Sequence, residues 1–199
     1  AELTEWGASR CEDVHWWVRE PHLWSALLNP EESQALVKRI ESFGVKVHVG
    51  AEVKSIGFPV ETSRGAFQVD AIGVAIGVES TPIPGGYSLE DLAAFSNVHA
   101  VGDVAEVGRR SWAKAALAGK SLGRQLMGQK PLPLPGLHEE RTRCFDRSVV
   151  LVERNAPATE KSFLDVHGAR SIRLGFDEEG RWVKLVAMGW RMRVDRVSA

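Results

Sequence analysis

The sequence has few of the residues that mark disulfide-rich or metal-binding proteins. Only two of its 199 residues are cysteines, Cys11 and Cys144, and they form no C-x-x-C pair. A disulfide framework and a cysteine-ligated metal site are therefore not indicated, and we expect two reduced thiols in a cytoplasmic protein. The six histidines are scattered without ligand spacing, so no metal site is predicted either.

Charge of one sign and long apolar runs are also missing. The 25 basic and 26 acidic residues give a formal net charge of −1, which does not favour nucleic acid or an anionic membrane as a partner. No apolar run approaches the length of a membrane span, and no signal peptide opens the chain. The first residue is not methionine and already continues a helical pattern, which suggests a fragment or a processed product. With 44% hydrophobic and 26% charged residues, the composition is typical of one or two globular domains.

The first half of the chain carries a strand–helix–strand pattern. Residues 13–18 and 45–50 alternate like strands. Between them, Asn29 and Glu32 form a helix-start pattern, and Gly44 marks the end of the helix. This order predicts a parallel α/β unit of the nucleotide-binding type.

Further strands and one further helix are predicted along the rest of the chain. A helix rich in small residues is expected over 111–127, followed by a proline-rich linker over 131–136. Strands are predicted over residues 51–59, 67–78, 148–153, 171–176 and 181–190, with turns at 62–65 and 177–180.

The most informative stretch is residues 96–106. Val98, Ala100 and Val101 predict a short buried strand that ends at Gly102 and Asp103. In open α/β sheets the carboxyl ends of the strands are where ligands bind, and a carboxylate there can accept hydrogen bonds from a sugar or ribityl hydroxyl. A strand that ends in a turn with a solvated aspartate would give the same pattern.

Three neighbouring motifs together resemble a known family. They are Gly102-Asp103, the upstream segment 70–82 with Ala75-Ile76-Gly77, and the downstream helix that begins near Trp112. In this order and spacing they resemble the pyridine nucleotide-dependent flavoprotein reductases of the pyridine nucleotide-disulfide oxidoreductase superfamily. The branch they resemble most holds nitrite reductase large subunits, rubredoxin and ferredoxin reductases, and apoptosis-inducing-factor-like proteins. The resemblance covers residues 1 to about 128 and is only suggestive beyond them.

The resemblance implies an α/β fold built from partial FAD- and NAD(P)-binding Rossmann-like domains, with a small carboxyl-terminal α+β domain. It divides the chain into an NAD(P)-binding part (1–82), a second FAD-binding segment (83–130) and the small domain (131–199). The cofactors implied are FAD and NAD(H) or NADP(H). In the family, Asp103 and Gly102 would hold the flavin's ribityl chain, Ala75 and Gly77 would pass close to the cofactor, and Trp112 and Ala113 would lie under the flavin ring. The family's G-x-G-x-x-G turn would lie before residue 1.

Arg19 and Glu20 are the candidates for the adenosine end of the nicotinamide coenzyme. The family commonly places a glutamate at the position of Val18, whereas here the acid comes two residues later. Arg19 could bind the 2′-phosphate of NADPH, and Glu20 could bind the ribose hydroxyls of NADH. Both could also be solvated loop charges.

The expected function is therefore part of an FAD-dependent NAD(P)H oxidoreductase that passes electrons to a small molecule or a redox protein. No residue is expected to act as a general acid, base or nucleophile, because the redox chemistry belongs to the cofactors. The family's small domain often supports a homodimer. The alternatives are a non-catalytic fragment, or one half of a split flavoprotein, that acts as a dimerisation or interaction module.

Overall fold

The computed structural model describes residues 1–77, 98–101, 112–132 and 138–190. The chain divides into two compact units, one formed by residues 1–75 together with 137–199 and the other by residues 76–136. The domain limits expected from the sequence, after residues 82 and 130, stay predictions.

The first unit begins with the predicted strand–helix–strand motif. A short helix, α1 (Glu2–Ala8), precedes strand β1 (Val14–Val18), helix α2 (Pro30–Glu41) and strand β2 (Val45–Val49). The two strands pair in parallel from Val14↔Val45 to Val18↔Val49, as predicted.

Both ends of α2 follow the sequence signals. The Asn29 side chain accepts a hydrogen bond of 2.8 Å from the Glu32 amide, and the Glu32 carboxylate accepts one of 2.9 Å from the Asn29 amide. This reciprocal capping box satisfies two amides that the helix itself leaves unpaired. Beyond the other end, Gly44 has φ +86°, a conformation that glycine adopts without strain.

A small antiparallel sheet follows, made of β3 (Val53–Ser55), β4 (Val60–Thr62) and β5 (Gly65–Phe67) in that order. The predicted turn at 62–65 joins β4 to β5. The strand predicted over 67–78 is wrong: residues 68–77 form no strand, and Val74 and Ile76 are 53% and 91% exposed. The physical reason is that a strand needs a paired neighbour, and no described strand runs beside this segment.

The carboxyl-terminal part of the first unit is a five-stranded antiparallel sheet with strand order β6-β7-β10-β9-β8. Its strands are β6 (His138–Cys144), β7 (Arg147–Glu153), β8 (Thr159–Asp165), β9 (Arg170–Phe176) and β10 (Trp182–Met188). The sequence predicted the three central strands and the turn at 177–180. It did not predict β6 and β8, the two outer strands.

Residues 138–190 form strands joined by turns and loops, and the described helices of this unit lie in its amino-terminal part. Leu36 and Ile40 of α2 are fully buried in one cluster with Val149, Leu151 and Val186 of the sheet. The helix that packs on the carboxyl-terminal sheet is therefore α2, which lies far from the sheet in sequence.

A buried ion-pair network joins α2 to this sheet. Arg173 of β9 donates to the Leu27 carbonyl at 2.6 Å, to the Glu32 carboxylate at 3.3 Å and to the Glu160 carboxylate at 3.0 Å. Burial alone would raise the pKa of Glu160, but Arg173 and then Lys184 outweigh it, so that pKa lies below its usual value. The network thus links α2 and the loop before it to the sheet.

The described part of the second unit is chiefly one helix, α3 (Trp112–Leu126), which confirms the helix predicted over 111–127. Gly128 follows with φ +71°, and the Arg124 side chain donates to the Lys130 carbonyl at 2.9 Å. Among the described residues, no helix is both long enough and apolar enough to cross a membrane.

Candidate functional site

The carboxyl ends of β1 and β2 form the edge at which a nucleotide is expected. The two strands stop at the same level, and the chain beyond them is cross-linked by backbone hydrogen bonds. The Gly50 amide donates to the Glu20 carbonyl at 2.8 Å, and the Ala51 amide donates to the Val18 carbonyl at 3.0 Å. Arg19 and Glu20 are therefore held at this edge by the backbone.

Both candidate coenzyme residues are accessible there. The Arg19 guanidinium and the Glu20 carboxylate lie 3.4 Å apart, with side chains 79% and 45% exposed. An exposed pair of this kind contributes little to stability, so either side chain can leave it at low cost. Arg19 could then donate two hydrogen bonds to a phosphate, and Glu20 could accept hydrogen bonds from ribose hydroxyls.

A groove lies beside this edge, between α2 and the loop after β1. Its volume is about 520 Å³, and Pro21, His22, Glu31, Lys38 and Val49 contribute to its lining. The start of α2 in this groove is poorly suited to a phosphate. Its Glu32 amide is used by the capping box, and its first turn is acidic.

The structure describes only some of the residues that we expect to contact the flavin. Ala75 and Gly77 are exposed, and Gly77 has φ +93°, a conformation that suits glycine. Trp112 and Ala113 form the first turn of α3. Gly102 and Asp103 lie outside the described residues, so their role in holding FAD stays a prediction from the sequence.

Arg64 is a residue at the nucleotide edge that the sequence analysis missed. It belongs to the turn between β4 and β5 and donates a hydrogen bond to the Val49 carbonyl, at the end of β2. The turn itself is held by Thr62, whose side chain accepts from the Arg64 amide at 3.0 Å and donates to the Gly65 carbonyl at 3.0 Å. No local sequence signal connects this turn with β2.

A group of rings behind the edge was missed as well. His15 and Trp17 of β1 stack with His48 of β2, and Phe67 of β5 packs edge-on against His15 and Trp17. The period-two alternation of β1 and β2 is the signal that could have found them, because it places these side chains on the face opposite the valines of the core. Within the described ranges, no group of three or more His, Cys, Asp or Glu side chains could hold a metal ion.

The two cysteines are separate thiols, as predicted. Cys11 is exposed, and Cys144 is buried at the end of β6. Burial raises the pKa of Cys144 to about 11, so this thiol is protonated at neutral pH and unreactive.

Comparison with known proteins gives matches at the level of structure alone. No protein-family model matches the sequence, and no curated protein matches it. A ferredoxin reductase from Rhodopseudomonas palustris matches 98% of this chain, and 55% of its own, with a TM-score of 0.72 at 17% identity. An FAD-dependent pyridine nucleotide-disulphide oxidoreductase from Desulfovibrio vulgaris matches 94% of this chain, and 55% of its own, with a TM-score of 0.67 at 14% identity.

A third solved structure was determined with its coenzyme bound. The water-forming NADH oxidase from Lactobacillus brevis, bound to NADH, matches 94% of this chain and 51% of its own, with a TM-score of 0.71 at 14% identity. The chain thus spans about half the length of each of these enzymes. The chain therefore has the Rossmann-like α/β fold seen in about half of each of these enzymes, and this fold class is the one that the sequence predicted.

Proposed function

We propose that this chain is part of an FAD-dependent NAD(P)H oxidoreductase that passes electrons from a nicotinamide coenzyme through FAD to an acceptor. The observation that carries the proposal is the parallel β1–α2–β2 unit, with Arg19 and Glu20 side by side at its carboxyl edge. Oxidoreductases with the same fold support it.

The residues at this edge suit the adenosine end of a coenzyme. Arg19 supplies donors for a phosphate and Glu20 supplies an acceptor for hydroxyls, and both are open to solvent. Their work is to bind and orient the coenzyme. Hydride and electron transfer is the chemistry that the nicotinamide and the flavin supply when bound. For FAD, the support is the sequence pattern at Gly102 and Asp103.

The finer parts of the proposal concern the acceptor and the assembly. The acceptor is a small molecule or a redox protein, the chain forms a homodimer, and the enzyme is cytoplasmic. The competing proposal is a non-catalytic dimerisation or interaction module, either a fragment or half of a split flavoprotein.

The full-length protein tests the proposal by its colour and its reduction. We expect a yellow protein with flavin absorbance that bleaches under anaerobic NADH or NADPH. A colourless protein that gains no flavin on incubation with FAD would favour the interaction module.

Coenzyme preference is expected to depend on Arg19 and Glu20. In the full-length protein, Arg19→Gln should lower kcat/KM for NADPH relative to NADH, and Glu20→Gln should lower it for NADH relative to NADPH. A charge-assisted hydrogen bond contributes roughly 1.5–3 kcal/mol, so each ratio should change about ten- to hundredfold. Arg154→Gln, on an exposed loop of the carboxyl-terminal sheet, is the control. Unchanged ratios in both variants would mean that these residues are solvated loop charges.

A further inference from the structure

The rings behind the nucleotide edge form one packed cluster. The centroids of His15 and His48 lie 5.1 Å apart with the rings nearly parallel, and Trp17 stacks with His15 at 5.5 Å. Phe67 of β5 meets His15, Trp17 and His48 at 5.3, 5.5 and 5.7 Å. We call His15, Trp17, His48 and Phe67 the ring cluster. Through this cluster, β5 contacts β1 and β2.

A chain of hydrogen bonds runs through the two imidazoles. His15 Nε2 lies 3.4 Å from the Asp13 carboxylate, and His15 Nδ1 lies 2.9 Å from His48 Nε2. With Asp13 accepting from His15 Nε2–H, His15 Nδ1 is the acceptor for His48 Nε2–H. This arrangement defines a single direction for the hydrogen bonds when both rings are neutral.

The pair can take up only one extra proton and keep its hydrogen bond. One ring is then charged, and it can still donate a ring N–H to the unprotonated nitrogen of the other ring. A second proton must bind the one ring nitrogen that accepts the bond between the two rings. The bond then breaks, and two positive rings face each other at 5.1 Å.

Other charged groups that face the pair make this second state costlier. Lys46 of β2 pairs with Asp13 at 2.6 Å, so this carboxylate is already shared, and Arg64 of the β4–β5 turn adds another positive charge. Burial is the main cause that lowers the pKa of His48, followed by the charges of His15, Arg64 and Lys46. Asp13 and these basic groups are the charges that the structure places against the pair.

We propose that the His15–His48 pair is an acid-sensitive latch that holds the β4–β5 hairpin on the face of the β1–β2 sheet. At neutral pH the hydrogen bond aligns the two rings so that Phe67 packs against them. Double protonation separates the rings and releases Phe67. Because Arg64 is part of the same hairpin, its hydrogen bond to the Val49 carbonyl is weakened together with the latch. If the proposed function holds, acid also loosens the edge that carries Arg19 and Glu20.

The latch is tested by NMR on the isotope-labelled chain, without coenzyme. At pH 7.5 we expect NOEs between the Phe67 ring and both imidazoles, and at pH 5.0 we expect them to be lost. Because the singly protonated pair stays docked and the doubly protonated pair is released, the two states differ by one proton, and the ratio of docked to released hairpin should fall about tenfold for each pH unit through the transition. Nitrogen-15 shifts of the rings report their protonation in the same samples.

Two variants separate the latch from general acid sensitivity. His48→Gln keeps a donor for His15 Nδ1, but the glutamine does not titrate. In this variant the NOEs between the Phe67 ring and the remaining imidazole, His15, should therefore persist at pH 5.0. His167→Gln removes an exposed histidine elsewhere in the same unit and should behave like the wild type. If His48→Gln lacks the contact at pH 7.5, His15→Asn, which keeps an acceptor for His48, takes its place.

The proposal is overturned if the wild-type contact persists at pH 5.0 with both rings charged. It is also overturned if the non-titrating variant loses the contact at the same pH as the wild type, or if both unfold together. None of these outcomes depends on coenzyme binding, so they are separate from a failure of the proposed function.

Discussion

Replacing Arg173 with methionine is expected to lower the free energy of unfolding of the chain by about 3–5 kcal/mol, the usual cost of removing one partner from a buried ion pair. Arg173 and Glu32 are both buried, with side chains 10% and 1% exposed. Methionine fills much of the space of the arginine stem, but it leaves the buried Glu32 carboxylate with only the Asn29 amide as a donor and removes the guanidinium donor of the Leu27 carbonyl. The cost therefore arises mainly from the groups left behind.

The measurement is urea unfolding at pH 7, with Arg181→Met as the matched control. Arg181 also makes ion pairs, to Asp177 and Glu179, but its side chain is 73% exposed. Solvent screens such pairs, so this control is expected to be nearly neutral. Equal losses of stability in the two variants would mean that the buried network adds nothing beyond an exposed pair.

This network also shows why the packing of the first unit could not be read from the sequence. Arg173 and Glu32 are 141 residues apart, and no local sequence pattern at either residue predicts their contact. The β1–α2–β2 unit was predictable because its signals are local: alternation in the strands, the Asn29–Glu32 capping box, and Gly44 beyond the helix. The attachment of α2 to the carboxyl-terminal sheet depends on tertiary packing.

The strand errors have physical reasons too. Strand β6 is rich in charge and β8 is mostly exposed, as suits the outer strands of a sheet, so neither has the apolar pattern that predicts a strand. Residues 70–77 have that pattern but no described partner strand, and all of them except Ile72 are exposed. Apolar alternation records what a segment could bury, while pairing depends on what lies beside it.

Only those residues of the nucleotide edge that follow a local sequence rule could be predicted. Arg19 and Glu20 reach it because they directly follow a parallel strand, which is a local rule. Arg64 reaches it through a hairpin that folds back on β2, and this required the structure. The proposed FAD contact of Asp103 is supported so far only by its position after a predicted strand. Asp103 is therefore the most informative residue to change.

Asp103→Ala in the full-length protein is expected to weaken FAD binding about ten- to hundredfold. Asp103 follows an apolar stretch and Gly102 and precedes a helix of small residues, so we propose that its carboxylate faces the ligand edge and accepts a hydrogen bond from a ribityl hydroxyl. Such a bond contributes roughly 1.5–3 kcal/mol, and each 1.4 kcal/mol is a factor of ten in the dissociation constant.

A graded series distinguishes this contact from a turn that merely needs an aspartate. Asp103→Asn should cost less than Asp103→Ala, because the amide oxygen can still accept the hydrogen bond but carries no charge. Glu106→Ala removes a carboxylate three residues further along and is expected to leave the affinity unchanged. The readouts are flavin occupancy after purification and the FAD dissociation constant of the apoprotein, with circular dichroism to confirm the fold. Undiminished affinity in a folded Asp103→Ala protein would show that Asp103 is a turn residue and that FAD, if bound, is held by other groups.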